Sequence, residues 1–310
     1  MRILITGGTG LIGRQLCQVL LALGHELTVL SRHPATVTPK CGKGVQVLSS
    51  LDEWTSEREF DAIINLAGEP IIDAYWTAKR KQVLLDSRVA LTKKLVQCIS
   101  VARHKPMVLL SGSAVGYYGN GADMTLDESM ASGNDFSAKL CAAWEAAAFD
   151  AKQSGVRVCL LRTGLVLSKQ GGLLQRMLLP FRLVLGARLG NGKQWMSWIH
   201  IDDYIAMMLR LLNDASLNGA FNLTAPQPVI NAEFTQTLAQ VLHRPAFFVA
   251  PSFALKLAMG ERASLLLEGQ RVLPKRLESS GFHFAFPTLK HALKNLLQSP
   301  SPQILAERAN

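Results

Sequence analysis

The sequence lacks an uninterrupted apolar run of about eighteen residues, the length that a membrane-spanning helix requires. Its first residues, MRILITGGTG, lack the charged stretch and the long apolar core of a signal peptide. The five cysteines include no CxxC pair, and the seven histidines show no HxH or HExxH spacing. We therefore expect a cytoplasmic protein with free thiols, no membrane association and no metal site.

Positive charge dominates, with a formal net charge of +10 at pH 7. The basic residues are nonetheless dispersed, the longest cluster being KRK at positions 79–81, and no nucleic-acid-binding module is recognisable. A basic surface of this kind also suits a cofactor or substrate that carries phosphate. We expect a small-molecule substrate and no nucleic-acid partner.

Short apolar runs alternate with helical patterns through the first half of the chain. The apolar runs cover residues 2–6, 26–32, 45–48, 61–67, 107–110 and 156–162. Of the three helical patterns, the first ends at residue 23 and the other two cover residues 76–102 and 136–153. This alternation is typical of βαβ units, which place their strands in parallel. The predicted fold class is α/β, with a doubly wound parallel sheet of the Rossmann type.

The pattern changes after residue 164, which predicts a second lobe. The expected division is an NADP-binding Rossmann domain over residues 1–165, joined by residues 198–225, a smaller C-terminal substrate lobe over residues 166–197 and 226–300, and a flexible tail over residues 301–310. Two or three helices are expected in the last part of the lobe. The tail prediction rests on two prolines and little periodicity after Gln298.

The strand RILIT leads directly into the turn GGTGLIG and then into a helical pattern. Gly7 permits a tight turn, Gly10 lets the backbone approach a pyrophosphate, and Gly13 lets the helix lie close to the strand. A second strand within the first 32 residues completes the context of a dinucleotide-binding site. Further cofactor contacts are expected in the same turn at Thr9, Leu11 and Ile12. The alternative is that the glycines serve packing alone.

The second strand, ELTVLSR, ends in Ser31 and Arg32 rather than in the acid that usually binds the ribose hydroxyls of NAD. An arginine at this position pairs with the 2′-phosphate of NADP. We therefore predict NADP as the cofactor. A solvated arginine at the end of a strand is the alternative.

Several segments extend the pattern along the chain, namely NLAGEPI, SGSAVGYYG, FSAKLCAAWE, LRTGLVL, WIHIDD and LEGQRVLPKRL. Together with TGGTGLIG, they resemble the atypical extended short-chain dehydrogenase/reductases known as YfcH-like, NAD(P)-dependent epimerase-family proteins. The resemblance implies a Rossmann-type domain, a smaller C-terminal lobe and a substrate cleft between them. It also implies cofactor contacts at Leu66, Ala67 and Gly68 near the adenine and ribose, at Arg88, and at Thr163, Gly164 and Leu165 beside the nicotinamide.

The same superfamily uses a serine, a tyrosine and a lysine four residues after the tyrosine. The resemblance assigns Ser113 to the substrate oxygen and Lys139 to the nicotinamide ribose. Four residues before Lys139 stands Asp135, which cannot replace a phenol whose pKa is about 10. Tyr117 and Tyr118 are the nearest candidates for proton transfer.

Each of these side chains also has a structural interpretation. Ser113 is as consistent with a turn-forming hydroxyl as with a substrate contact. The alternative for Lys139 is an exposed helix lysine, and the alternative for the tyrosines is a structural turn. We expect an NADP-dependent oxidoreductase or epimerase that acts on a hydroxyl or carbonyl group, for example of a nucleotide-sugar. The alternative is an NADP(H)-binding regulatory or scaffold protein without turnover.

Other side chains carry structural expectations. Asp202 or Asp203 is expected to cap the helix that follows WIHIDD. Glu69 is expected to be a loop carboxylate in solvent, and the alternative is that it faces the cleft. The segment 171–195 combines glycines, apolar residues and basic residues, which is consistent with a lid over an anionic substrate or with a hydrophobic surface packed on the second lobe. The long helix over residues 76–102 is a candidate homodimer contact.

Overall fold

The structure, a computed structural model, describes residues 1–55 and 57–298. The predicted flexible tail at residues 301–310 lies outside the described residues. The strands are β1 (Arg2–Thr6), β2 (Glu26–Leu30), β3 (Gln46–Leu48), β4 (Ala62–Asn65), β5 (Val108–Ala114), β6 (Thr125–Leu126), β7 (Arg157–Thr163), β8 (Leu165–Leu167), β9 (Ala187–Leu189), β10 (Trp195–Met196), β11 (Trp198–His200), β12 (Gly219–Leu223), β13 (Val229–Ile230), β14 (Phe248–Ala250) and β15 (Arg271–Val272). The α-helices are α1 (Leu11–Ala22), α2 (Val37–Cys41), α3 (Ala78–Leu85), α4 (Leu91–Val101), α5 (Phe136–Phe149), α6 (Gly172–Arg182), α7 (Ile201–Asn213), α8 (Asn231–Leu242), α9 (Ser252–Met259), α10 (Ser264–Leu267), α11 (Lys275–Ser279) and α12 (Leu289–Gln298).

Seven parallel strands form the central sheet, in the order β12-β7-β5-β4-β1-β2-β3. The chain runs outward from β1 to β3 and then crosses back to β4, on the other side of β1. This reversal is the topological switch point of a doubly wound fold, and ligands bind at the carboxyl ends of the strands beside such a point. The predicted α/β fold class of the Rossmann type is confirmed.

Alternate residues of the central strands face two separate layers of helices. Ile3 and Ile5 pack in one apolar cluster with α1 and α7, whereas Leu4, between them, packs in the other cluster with α4. Because both faces are covered, β1 is buried from its second residue onward and β4 over its whole length. Continuous apolar runs, rather than alternating ones, therefore mark these strands in the sequence.

Outside the central sheet, the chain forms short strand pairs and helices. β8 pairs with β11, β9 with β14 and β6 with β15 in parallel, while β10 and β13 pair in antiparallel. Five α-helices follow residue 226 in the described part of the chain, so the prediction of two or three is wrong. α10 and α11 span only four and five residues, too few to leave a helical period in the sequence. None of the helices over the described ranges is long and apolar enough to cross a membrane.

The helix that follows WIHIDD begins at an unexpected cap. His200 is the N-cap residue of α7, and its Nδ1 accepts a hydrogen bond from the Asp202 backbone amide at 3.0 Å. Asp203 instead accepts hydrogen bonds from the backbone amides of Ala285 and Phe286, each at 2.9 Å. The prediction that Asp202 or Asp203 caps this helix is therefore wrong, because a buried imidazole takes that position and Asp203 tethers the C-terminal segment.

Candidate active site

The turn after β1 has the geometry of a phosphate cradle. Gly7 adopts a φ of +72°, and a Cβ atom there would lie 2.7 Å from the backbone of Leu66. A Cβ atom on Gly13 would lie 2.3 Å from the Gly7 carbonyl oxygen, so only glycine lets α1 approach the turn this closely. Gly10 closes the turn with a 3.0 Å hydrogen bond from its amide to the Gly7 carbonyl. Half-buried in the same segment are Thr9, Leu11 and Ile12.

The start of α1 completes this cradle. Among the residues that the structure describes, no side chain caps α1 at Gly10, and its first turn contains no acid. The first amide groups of a helix carry a partial positive charge and bind phosphate. A turn whose close backbone contacts exclude Cβ atoms at Gly7 and Gly13, next to an uncapped helix start, fits the pyrophosphate of a dinucleotide.

Two buried polar residues fix the wall beside the cradle, where Leu66, Ala67 and Gly68 follow β4. Thr6 Oγ1 donates to Asn65 Oδ1 at 2.7 Å and accepts from the Ala67 amide at 3.1 Å. These bonds hold the wall against the carboxyl end of β1. Neither residue is among those predicted from the sequence to form the site. A polar residue at the end of a buried apolar strand usually needs a hydrogen-bond partner, and this pattern could have identified both.

A π-helical segment, Asp86–Ala90, interrupts the predicted long helix between α3 and α4. π-Helical turns are rare and often lie at functional sites. Here the segment directs Arg88 to the wall, where Nη2 donates to the Glu69 carbonyl oxygen at 2.8 Å and the guanidinium lies 5.4 Å from the Trp144 ring. Burial lowers the pKa of Arg88. In this structure Arg88 therefore supports the backbone of the turn that follows β4.

Ser31 and Arg32 follow β2 at the same edge of the sheet. Arg32 Nη2 donates to Glu69 Oε1 at 2.8 Å, and Arg80 Nη1 lies 3.6 Å from Glu69 Oε2. The hydrogen bond from Arg32 lowers the pKa of Glu69, which is therefore ionised at neutral pH. The expectation of a solvated Glu69 is wrong, because two guanidinium groups share its carboxylate. The Arg32 side chain is 81% exposed and so remains accessible to a ligand.

Gly164 connects Thr163, the last residue of β7, to Leu165, the first residue of β8, at the next carboxyl end of the sheet. The Leu165 amide donates to the Ser197 carbonyl oxygen at 2.7 Å, which fixes the direction of the chain as it leaves β7. β5 and β7 are neighbours, with Ala114 opposite Thr163. The connection therefore lies beside the segment that follows β5.

A buried ion pair lies behind these segments. Arg162 of β7 donates to Glu145 of α5 through two hydrogen bonds of 2.9 Å, from Nε to Oε1 and from Nη2 to Oε2. Ser113 donates to the same Oε1 at 2.6 Å. Ser113 is 4% exposed, so its hydroxyl is engaged by Glu145 rather than open to a substrate. This geometry argues against the predicted substrate-binding role of Ser113.

The turn Val115–Tyr118 follows β5 and carries both candidate tyrosines. The Tyr118 hydroxyl donates to Asn222 Oδ1 at 2.7 Å and accepts from Arg162 Nη1 at 2.9 Å. Burial raises the pKa of Tyr118 to about 12, which makes it a poor proton carrier at neutral pH. Tyr117 is only partly buried, and its ring centre lies 3.6 Å from the Arg162 guanidinium carbon. Of the two phenols, Tyr117 is the accessible one.

Lys139 is exposed in the first turn of α5. Asp135, where the superfamily resemblance leads us to expect a tyrosine, is the N-cap residue of this helix, and its Oδ1 accepts from the Ala138 amide at 2.9 Å. Aspartate is among the preferred N-cap residues, so this capping role explains its presence. Position 135 therefore begins a helix in this chain and supplies no phenol.

The central sheet brings the candidate residues to one edge. Apart from Arg88 and Lys139, which stand on helical segments, they lie at or directly after the carboxyl ends of β2, β1, β4, β5 and β7, which are consecutive neighbours in the sheet. The sequence profile of the NAD dependent epimerase/dehydratase family matches residues 3–224, more than half of the chain. The chain belongs to this family. The assignment confirms both the predicted resemblance and a nicotinamide dinucleotide as the cofactor.

Relatives of this epimerase/dehydratase chain match it over nearly its whole length. The chloroplastic SDR39U1 homolog of Arabidopsis thaliana, an epimerase family protein, is 41% identical over 305 residues, which cover 96% of this chain and 87% of that protein. The Bacillus subtilis epimerase family protein YfhF is 38% identical over 301 residues, which cover 96% and 98%. The crystal structure of human epimerase family protein SDR39U1 (isoform 2) with NADPH has a TM-score of 0.86 and 37% identity, and covers 96% of this chain and 99% of the human chain.

A second profile, that of a domain of unknown function named DUF1731, matches residues 250–296. The epimerase/dehydratase profile thus covers the cradle and the central sheet, and the second profile covers α9 to α12 except for the last residues. Within this family member, position 135 caps a helix and Ser113 is engaged by a buried ion pair. Neither position therefore presents a free hydroxyl at this edge of the sheet.

Proposed function

We propose that this epimerase/dehydratase family member transfers hydride between NADP(H) and a carbon that bears a hydroxyl or carbonyl group, with Tyr117 exchanging the proton. The position of Tyr117 supports the proposal most. It follows β5 at the carboxyl edge of the sheet, next to the strand that ends at Thr163, and it remains partly exposed. The Arg162 guanidinium carbon lies 3.6 Å from its ring centre, and this cation–π contact holds the ring in place.

The residues of the cradle are suited to hold the cofactor. Residues 7–13 would bind the pyrophosphate, residues 66–68 the adenosine, Arg32 the 2′-phosphate and Lys139 the ribose next to the nicotinamide. The nicotinamide ring, when bound, supplies or accepts the hydride. Thr163, Gly164 and Leu165 would line the nicotinamide side of the site.

Tyr117 would give its proton to the substrate oxygen when a carbonyl is reduced and recover it when a hydroxyl is oxidised. Arg162 is held in place throughout by Glu145, so its charge is a fixed partner of the Tyr117 ring. Tyr118 and Ser113 are positioning residues in this proposal, because their hydroxyls are engaged in the buried network.

Tyr117→Phe is expected to lower turnover by about 100-fold and to leave NADPH affinity unchanged, because general acid catalysis contributes about 10²–10⁴-fold. The measurement follows NADPH consumption across a panel of carbonyl compounds and oxidised nucleotide-sugars. Tyr75→Phe is the matched control, since Tyr75 is an exposed phenol on a different loop. Wild-type turnover in Tyr117→Phe would refute the assigned role.

A second candidate function, NADP(H) binding without turnover, is favoured by the buried network. Ser113 and Tyr118, which extended relatives would present to a substrate, are hydrogen-bonded to Glu145 and Asn222. A regulatory or scaffold protein of this kind would bind NADPH, reduce no member of the panel and be indifferent to Tyr117→Phe. The same experiment therefore separates the two functions.

The preference for NADPH over NADH is expected to respond in opposite directions to two substitutions. Arg32→Ala should weaken NADPH binding by about tenfold, because the arginine pairs with the 2′-phosphate. Glu69→Gln should strengthen it by about threefold, because the phosphate no longer competes with a carboxylate for Arg32, and an exposed ion pair of this kind is worth at most about 1 kcal/mol. Fluorescence titration with NADPH measures both effects.

NADH is the control for both variants, since it lacks the 2′-phosphate. Neither substitution should change NADH affinity by more than about twofold. Equal losses for NADH and NADPH in Arg32→Ala would show that Arg32 contacts another part of the cofactor.

A further inference from the structure

The C-terminal part of the chain contains a groove that the proposed reaction does not use. One face of α8 and the segment 245–249, which includes part of β14, line it together with Arg188 of β9, which pairs with Val249. Its volume is about 790 Å³, within the range of small-molecule sites. The lining contains none of the residues proposed to bind the dinucleotide or to exchange the proton.

Two buried polar atoms of the lining residues lack a partner. Over residues 1–55 and 57–298, five buried side-chain nitrogen or oxygen atoms have no hydrogen bond, and Arg188 Nε and Thr235 Oγ1 are two of these. Thr235 is 4% exposed and lies in the middle of α8. Buried polar atoms are normally paired, so a groove with two unpaired ones is incomplete as it stands. A ligand oxygen that approaches them would supply the missing partner.

The charges of the lining residues determine whether the groove attracts an anion or a cation. Arg188 lies at the start of α8, since a Cβ atom on Gly192 would touch both Arg188 and Ala232. His243 and Arg244 follow the other end of the helix, about 16 Å away at the helical rise. No lining residue is acidic. An anionic group is therefore attracted along the whole groove.

The wall opposite α8 is apolar and open to solvent. Phe247, Phe248 and Val249 are 81%, 54% and 47% exposed. Adjacent exposed side chains of this size mark an interaction surface. We infer that the groove binds an organic anion, with a carboxylate or phosphate group at Arg188 and Thr235 and a flat apolar body against Phe248 and Val249.

Phenyl phosphate is the probe, because it combines an anionic phosphate group with a flat apolar ring. We expect the full chain, saturated with NADPH, to bind it at a single site in isothermal titration calorimetry. Arg188→Gln should weaken binding by about tenfold and Thr235→Val by about threefold, as expected for the loss of a charged and of a neutral hydrogen bond. Phe248→Ala, at an exposed position, should weaken the binding of phenyl phosphate without changing the binding of inorganic phosphate.

Arg103→Gln is the matched control, because it removes the same charge from an exposed residue outside the groove. It should leave the affinity for phenyl phosphate unchanged. Wild-type affinity in Arg188→Gln, no binding of phenyl phosphate to the wild-type chain, or displacement of NADPH by phenyl phosphate would each overturn the inference. The proposed reaction would stand in all of these cases, since it does not depend on the groove.

Discussion

The Gly13→Ala variant is expected to bind NADPH about 10- to 100-fold more weakly than the wild-type chain. A Cβ atom at position 13 would lie 2.3 Å from the Gly7 carbonyl oxygen and 2.6 Å from the Gly8 Cα atom. Both are backbone atoms, which cannot rotate away as a side chain would, so α1 must move off the turn. Overpacking of this kind costs about 1–3 kcal/mol or more, and about 1.4 kcal/mol is tenfold in affinity. Fluorescence titration with NADPH measures the loss.

Gly24→Ala separates this effect from general destabilisation. Gly24 follows the other end of α1 with a φ of +77°, and no atom of the described residues other than Gly24 and its two chain neighbours lies within 4 Å of the added Cβ. The substitution strains the backbone by about 1–2 kcal/mol without touching the cradle, so the free energy of unfolding should fall while NADPH affinity is retained. If Gly13→Ala bound NADPH as the wild-type chain does, the turn would not be the pyrophosphate site.

The cradle can be predicted from sequence because its constraints are local. Strand, turn and helix follow one another within residues 2–22, and the close contact between Gly13 and Gly7 joins residues of the same turn. Arg32 is equally local, since it stands directly after a strand whose end is visible in the apolar pattern. The fold class follows from the repetition of the same unit along the chain.

β5 shows that the apolar pattern alone does not locate the end of every strand. The predicted run ends at residue 110, yet the strand continues to Ala114. Ser111, Gly112 and Ser113 are small or polar, but they are buried and pair with β7 throughout. Their polar atoms are satisfied by distant residues, as when Ser113 donates to Glu145, and such partners cannot be read from a local window.

The Glu145–Arg162 pair is the clearest case of this limit. Each charge stands alone in an apolar segment, AAWEAA and CLLRTG, which signals that each is buried and needs a partner. Nothing in either segment says that the two partners are each other, because α5 and β7 meet only in the folded chain. The pair in turn decides the roles of three other residues. It engages Ser113, binds the hydroxyl of Tyr118 and supports the ring of Tyr117.

Glu145→Gln is expected to lower the free energy of unfolding by about 3–5 kcal/mol, because it leaves the Arg162 guanidinium buried without a counter-charge. The Arg162 side chain is only 5% exposed, so water cannot replace the carboxylate. Glutamine keeps the shape of the residue and can still accept the hydrogen bond from Ser113, so the variant removes the charge and little else. Urea denaturation followed by circular dichroism gives the free energy.

Two further variants test the cause of the loss. Asp52→Asn breaks the Lys94–Asp52 pair, whose side chains are 47% and 75% exposed. It should lower the free energy of unfolding by less than about 1 kcal/mol. The double variant Glu145→Leu/Arg162→Met removes both buried charges and should be less destabilised than Glu145→Gln, because no unpaired charge remains. Under the proposed function it should nonetheless lose turnover, since the Tyr117 ring then lacks the guanidinium against which it packs. A double variant at least as destabilised as Glu145→Gln would mean that packing, rather than the unpaired charge, explains the loss.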